Sequence, residues 1–390
     1  MILFPYAGDT RGGSVHSSYL LIEELLGRDR NLLLGFHGGG FARDLAEKRG
    51  FPLIDLPALG NVAEIDRKDG VRAGNFFAAL ACMRTIFSHG VRLVHVNDKR
   101  MLRTWCVPAS LTRRALLTHW RSVYQPSWSV GLGLKLSSKI VCVSSYSRDR
   151  LPAWTAAKSG VVYNPFNSGL ELSRRGAIRS EIRKAAGIPE EAAVIGFFGA
   201  LLERKRPHVL LRLLQRLRAL SDGRPVYGIV CGEPLEPRDR QYFEMLAAED
   251  WQGRLVAPGF VGNAVEWMTA CDVMVAPAID EPLARVGVEA QSVGLPAIVS
   301  SDGGLREVVE DGVSGLVLDP DDFEGWLAAV RKVLEDRDFA ARLSAGGLRA
   351  AALLTVERHA DAIEAIYRDL RIDLDPRPAG IAGSAIESSA

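Results

Sequence analysis

Short apolar runs alternate along the chain with segments of helical periodicity. Runs at 2–5, 31–36, 93–96, 116–118 and 140–143 predict strands, and the rhythm restarts after Asn164 at 194–198, 226–231, 273–277 and 297–300. Between them, Val15, Tyr19, Ile22 and Leu26 share one helical face, and Leu210, Leu213, Leu214 and Leu217 share another. Strands and helices in alternation form parallel sheets covered by helices on both faces. Two such series predict an α/β protein of two Rossmann-like, doubly wound parallel-sheet domains facing a cleft, with ligands beyond the C-terminal strand ends. The break at Tyr163-Asn164-Pro165 separates residues 1–165 from 166–355. A last helix over 356–372, carrying Ile363, Ile366, Tyr367 and Leu370, is expected to pack back on the first domain. Residues 373–390, rich in Pro, Gly, Ser and Ala, are expected to form a disordered tail.

Length supports this division, because 390 residues exceed one ordinary core. With 47% hydrophobic and 24% charged residues, the composition is that of a soluble globular chain. The longest apolar run, 76–83, falls well short of the about 20 residues a membrane helix needs. Met1 leads directly into a strand, without a basic segment or cleavage site, so a cytoplasmic location is expected. Cys82, Cys106, Cys142, Cys231 and Cys271 are odd in number, form no CxxC and sit in apolar surroundings. They predict buried core thiols in a reducing compartment, with no metal site.

The net charge of +1 hides an imbalance. Residues 1–165 hold 22 Lys and Arg against 12 Asp and Glu, a net of +10, which leaves −9 for the remainder. Either this is ordinary surface variation, or the first half faces something acidic, such as a phosphorylated acceptor or an anionic membrane surface. Aromatic residues do not interleave with the cations as nucleic-acid binding would favour.

The segment Asp280-Glu281-Pro282-Leu283-Ala284-Arg285-Val286-Gly287-Val288-Glu289 follows a strand, and Pro282 suits the first position of a helix. Such a helix start would offer N–H groups and positive dipole to a diphosphate. Glu289 would then lie about 12 Å along the axis from Glu281. That distance is comparable to the span from a donor sugar across two phosphates to a ribose. Carboxylates accept sugar hydroxyls well. Taken alone, however, the pair reads equally as a solvated acidic pair on an ordinary helix.

The setting favours the functional reading. From Asp272 to Asp319 the segment carries Gly294, Pro296, Gly303-Gly304, Glu307 and Gly312-Val313-Ser314-Gly315, and it resembles glycosyltransferase family 4. Gly199-Ala200-Leu201-Leu202-Glu203-Arg204-Lys205-Arg206-Pro207 resembles that family's phosphate loop, Val162-Tyr163-Asn164-Pro165 its interdomain signature, and Gly12-Gly13-Ser14 its first glycine loop. The resemblance runs to Leu370, strong in the second half and diffuse in the first. It implies the GT-B architecture, a nucleotide-diphosphate sugar as co-substrate, retention of anomeric configuration, and no cofactor or catalytic metal. It implies Glu281 as the acceptor of a hydroxyl on the transferred sugar and His119, placed directly after a strand, near the anomeric carbon. Donor binding is expected from Gly12, Gly13, Arg204, Lys205, Val261, Leu283, Ala284, Arg285 and Glu289. Lys99, Arg100, Arg103 and Arg121 are candidates for an acidic or lipid-linked acceptor.

Departures are equally specific. Ala200 stands where the family usually has Arg, so one phosphate contact passes to Arg204 or Arg206. Leu283-Ala284-Arg285 replaces Phe-Gly-Leu; Ala284 narrows backbone approach, and Arg285 adds charge near the leaving diphosphate. Lys205 also reads as a surface cation, Gly12-Gly13 as a simple turn, and His119 as a satisfied core residue. Gly38-Gly39-Gly40 reads as a loop, and His16, His37, His95 and His208 carry no distinctive signal. Two competing functions remain open, a nucleotide-sugar epimerase or hydrolase on the same fold and an inactive nucleotide-sugar-binding protein.

Overall fold

In the computed structural model the described residues are 1–10, 12–58, 73–167, 169–220, 223–234, 239, 240, 244, 253–372 and 374. They build two parallel sheets. The first contains β1 (Ile2–Tyr6), β2 (Leu32–Phe36), β3 (Leu53–Asp55), β4 (Leu93–Val96), β5 (Ala115–Trp120), β6 (Lys139–Cys142) and β7 (Ser159–Val161), in the order β3-β2-β1-β4-β5-β6-β7. The second contains β8 (Ala193–Phe198), β9 (Val226–Cys231), β10 (Leu255–Gly259), β11 (Val273–Ala276), β12 (Ala297–Ser300) and β13 (Leu316–Leu318), in the order β10-β9-β8-β11-β12-β13. The order of each sheet reverses beside its first strand, between β1 and β4 and between β8 and β11. These are the switch points at which open α/β sheets bind ligands.

Four strands are absent from the hydrophobic pattern: β3, β7, β10 and β13. All four are sheet edges. Interior strands such as β1 and β8 are buried along their whole length, and read as continuous apolar runs. The edges are partly exposed and carry no such run.

Residues 1–165 and the stretch from Val356 form one compact unit, and residues 166–355 form the other. In the first unit, Tyr19 and Ile22 of the helix Gly13–Gly27 pack on Phe4 and Leu34, joined by Ile363 and Tyr367 of the helix Val356–Asp369. Arg28 and Arg30 reach Asp361 and Glu364 of that last helix at 2.6 and 2.7 Å. In the second unit, Leu210, Leu213, Leu214 and Leu217 of the helix Pro207–Leu220 cover Ile195, Phe197, Val273 and Val275, with Trp326 beneath. The fully buried Arg183 bonds Asp272 at 3.2 Å and the Ala270 and Ala192 carbonyls at 2.9 and 3.1 Å, pinning its helix to the start of β11.

All five cysteines are buried and free. By length and composition alone, the helical stretch Arg337–Asp369 is long and apolar enough to cross a membrane. It is broken at residues 352–355, and its halves belong to different units. Apart from Leu374, the expected tail at 373–390 lies outside the described residues.

Candidate active site

At the second switch point, the chain leaving β8 turns through a short 3-10 segment, Glu203–Lys205, before its helix begins at Pro207. The chain leaving β11 carries Glu281. The two loops are tied by the Ile279 N–H, which donates to the Arg204 carbonyl at 2.9 Å. Their side chains then meet: Lys205 Nζ lies 2.7 Å from Glu281 Oε2, and Arg204 donates to the same oxygen. Burial alone would raise the Glu281 pKa, but Lys205 and Arg204 outweigh it and hold the carboxyl below its ordinary range. Lys205 is well covered, whereas the Arg204 side chain is 44% exposed, so Lys205 is the more firmly held cation.

A third loop, from β12, supports this cluster. The Gly304 N–H donates to the Glu281 carbonyl at 2.9 Å, and Asp302 Oδ2 accepts from the Asp280 N–H at 3.2 Å. Gly303 has φ +101, and a Cβ there would stand 2.7 Å from the Glu281 carbonyl oxygen. Only glycine lets these backbones approach so closely. Asp302 is not among the candidates read from the sequence; an acidic residue two positions after a buried strand and just before Gly-Gly is the available signal.

The helix does not begin at Pro282. Residues 281–284 are irregular, and the helix runs Val286–Ser292 with Arg285 at its N-cap. The expected helical rise from Glu281 to Glu289 therefore fails, because only the last four positions are helical and the Glu281 loop is held by β8 and β12 loops instead. Glu289 lies in the first turn of this helix. Arg285 Nε donates to Glu289 Oε1 at 3.1 Å, and its guanidinium lies 5.1 Å from the Phe166 ring centre. Leu283 and Ala284 are buried, at 8% and 5% exposure. Val261 is half-buried beyond β10, next to the exposed Phe260, whose N–H donates to Glu233 Oε1 at 3.3 Å. Among the described residues no three His, Cys, Asp or Glu side chains gather as metal ligands do.

In the first unit, the candidates collect at the C-terminal strand ends. Gly12, with φ +99, caps the helix that Gly13 opens. Lys99 and Arg100 open the helix Lys99–Leu111, capped by the Asp98 carboxylate. Arg100 is engaged by Asp9 at 2.7 and 3.1 Å, and Lys99 reaches the Val123 carbonyl at 3.3 Å. Arg103 lies one turn further along that helix. Arg121 donates to Asn164 Oδ1 and to Asn97 Oδ1.

His119 is inside β5, not after it, because the strand extends to Trp120. It is 1% exposed and stacked between His95 and His359, with ring centres 5.6 and 5.7 Å away. Tyr367 meets His95 Nδ1 at 2.7 Å, and His359 Nδ1 donates to the Tyr163 carbonyl at 2.8 Å. Burial first, and then Arg121 and the neighbouring rings, push His95 and His119 well below the ordinary histidine range; burial and Arg121 take His359 to about 3. All three are therefore neutral at pH 7. His119 Nε2 and His359 Nε2 are buried with no hydrogen-bond partner. Neither His95 nor His359 stands out in the sequence as a site candidate. His359, Ile363 and Tyr367 at helical spacing carried a signal for the second.

Residues 178–349 match the family described as glycosyl transferases group 1. A D-inositol 3-phosphate glycosyltransferase of Nocardioides sp. is 34% identical over 211 residues, covering 50% of this chain and 46% of the relative. The chain spans about half the length of the curated relatives it matches. Among solved structures, a glycosyltransferase from Rickettsia africae superposes with a TM-score of 0.81 at 16% identity, covering 95% of this chain and 98% of that one. Anabaena HepE in complex with UDP gives 0.79 at 21% identity, covering 94% and 99%. At these identities the likeness is one of fold, and it is the GT-B fold of two Rossmann-like parallel-sheet domains. The stretch that gathers Lys205, Glu281 and Glu289 is thus the stretch that matches the group 1 glycosyl transferases.

Proposed function

We propose that this chain is a retaining, metal-independent glycosyltransferase of family 4 that moves a sugar from a nucleoside-diphosphate sugar to a hydroxyl acceptor. The observation that carries the reading is the junction of Lys205 and Arg204 with Glu281 at the switch point between β8 and β11. Two cations and a carboxylate held by three loops offer a diphosphate its countercharge and a sugar its acceptor atom side by side. In the free protein Glu281 neutralises the cations; an arriving diphosphate takes them over, and the carboxylate turns to a hydroxyl of the donor sugar. Glu289, with one oxygen on Arg285, has the other for the ribose.

The bond from the anomeric carbon to the diphosphate oxygen breaks as the acceptor oxygen adds on the same face. The acceptor proton passes to a leaving phosphate oxygen. Lys205 and Arg204 stabilise the negative charge that develops there, the largest electrostatic contribution. His119, neutral and buried within the first unit, is the histidine that the family resemblance assigns to the transferred sugar. Gly12, Gly13, Lys99, Arg100 and Arg121 belong to acceptor and donor recognition on that unit. The acceptor is a saccharide, lipid-linked or small-molecule hydroxyl in glycoconjugate or polysaccharide synthesis, and the excess of positive charge on that unit favours one that carries phosphate or sits at the anionic cytoplasmic face of a membrane.

Thermal-shift screening against nucleotide sugars, beginning with UDP-sugars because the fold resembles a protein solved with UDP, tests the donor class. A shift of several degrees with one donor, and product only when an acceptor is present, is the expected result. Product without acceptor would replace the reading by an epimerase or hydrolase, and binding without turnover by an inactive binding protein.

A further inference from the structure

The first sheet carries a second feature at its opposite edge. Arg92 immediately precedes β4, Arg114 precedes β5, and Ser138 precedes β6. Together with Arg113 and Arg371 they line an open pocket of 380 Å³. Its remaining walls are Ala115, Leu370 and Ile372, and no carboxylate among the described residues lines it. The pocket lies at the N-terminal strand ends, opposite the C-terminal ends of β4 and β5 that lead into Lys99 and Arg121.

Four arginines lining one pocket concentrate positive charge there, which suits an anion. Arg114 Nε is buried with no hydrogen-bond partner, an unmet donor at the pocket wall. Ser138 Oγ accepts from the Leu116 N–H at 3.2 Å, which leaves its hydroxyl proton to donate outward. The backbone adds an independent clue. Arg113 and Arg371 each end a helix in the left-handed region, with φ +54 and +57, positions at which glycine is favoured. Both nevertheless carry the long cationic side chain, each against a backbone cost of about 1–2 kcal/mol.

We infer that this arginine pocket at the N-terminal edge of the first sheet binds the phosphate group of a ligand, separately from the transferase site. Planar guanidinium forks match phosphate oxygens two at a time, and the half-buried Arg114 would sit at the floor with Arg113, Arg371 and Arg92 around it. The phosphate belongs either to a soluble phosphate ester or to the headgroup of an anionic lipid.

The test uses the full chain with inorganic pyrophosphate as probe, in an Arg204→Ala/Lys205→Ala background that removes the other diphosphate site. Arg113→Gly and Arg371→Gly delete two guanidiniums while suiting the left-handed backbone, so the double variant should melt no lower than its parent in anion-free buffer. Expected is a pyrophosphate-induced rise in melting temperature in the parent, and binding weaker by about tenfold or more in the glycine variant. Equal affinity in the two would overturn the inference. A sedimentation arm with phosphatidic acid vesicles, against phosphatidylcholine vesicles, assigns the source. Binding that the glycine variant loses identifies a lipid headgroup; a pyrophosphate response without vesicle binding identifies a soluble ester. No response to either probe would sink the proposal.

Discussion

The two units solve the same geometric problem with opposite chemistry at their switch points. In the second, unlike charges meet inside the loops: Lys205 and Arg204 close on Glu281, and Arg285 on Glu289. In the first, the strand ends surround a stack of three neutral histidines, with Arg121 on neutral amides. A site meant for a diphosphate needs fixed charge that an incoming anion can exchange. A site meant for hydroxyl groups needs neutral donors and acceptors kept dry. The shared device is backbone proximity. Gly8, after β1, lies against the loop after β2, and Gly232, after β9, lies against the loop after β8; a Cβ would stand 2.1 Å from the Gly38 carbonyl oxygen in one and 1.9 Å from that of Gly199 in the other.

The charged half of this contrast gives the largest expected effect. Lys205→Ala should lower turnover by about 100-fold or more, because it removes the well-covered cation from the leaving group. Arg204→Ala, at a more exposed side chain, should cost clearly less. Steady-state transfer assays on both variants rank them, and the reverse order would mean that exposure misidentifies the principal cation. Next come the glycines: Gly8→Ala and Gly232→Ala should each destabilise by about 2–4 kcal/mol, through a clash with backbone that has no room to move. Denaturant melts showing one near-neutral substitution would break the parallel between the units.

The neutral half is read through pH. Each buried histidine has its folded pKa below its unfolded value of about 6.5, so the unfolded chain binds more protons as pH falls. The stability the stack contributes is whole above that value and declines between about pH 6.5 and the folded pKa, near 3 for His359. Per histidine the slope approaches about 1.4 kcal/mol per pH unit. His359→Gln should flatten the fall in melting temperature between pH 6.5 and 5; an unchanged slope would mean that the stack is already charged. The smallest effect is expected at Arg285→Leu, which frees Glu289 and should change nucleotide affinity by about threefold to tenfold, within the range of one charge-assisted bond.

What the sequence conveyed follows from burial. The interior strands of both sheets were legible because both their faces are covered, while the four edge strands were not, since partly exposed residues need no apolar run. The Glu281 and Lys205 loops were legible as motifs with a recognisable setting. The helix start at Pro282 was misread because a proline permits a helix without requiring one, and here the β12 loop holds Glu281 in irregular backbone through Gly303 and Gly304. The histidine stack was invisible because it joins β4, β5 and the last helix, residues 95, 119 and 359, which only the tertiary fold brings together.

The central claim is that Lys205 and Glu281 mark the diphosphate site. Calorimetric titration of UDP and of a second nucleoside diphosphate into the wild type, Lys205→Ala and Glu281→Gln tests it most directly. The account predicts saturable binding with at least one nucleotide, weakened about tenfold or more by Lys205→Ala and strengthened by Glu281→Gln, which removes the carboxylate that competes for the cations. Equal affinities across the three proteins would contradict it.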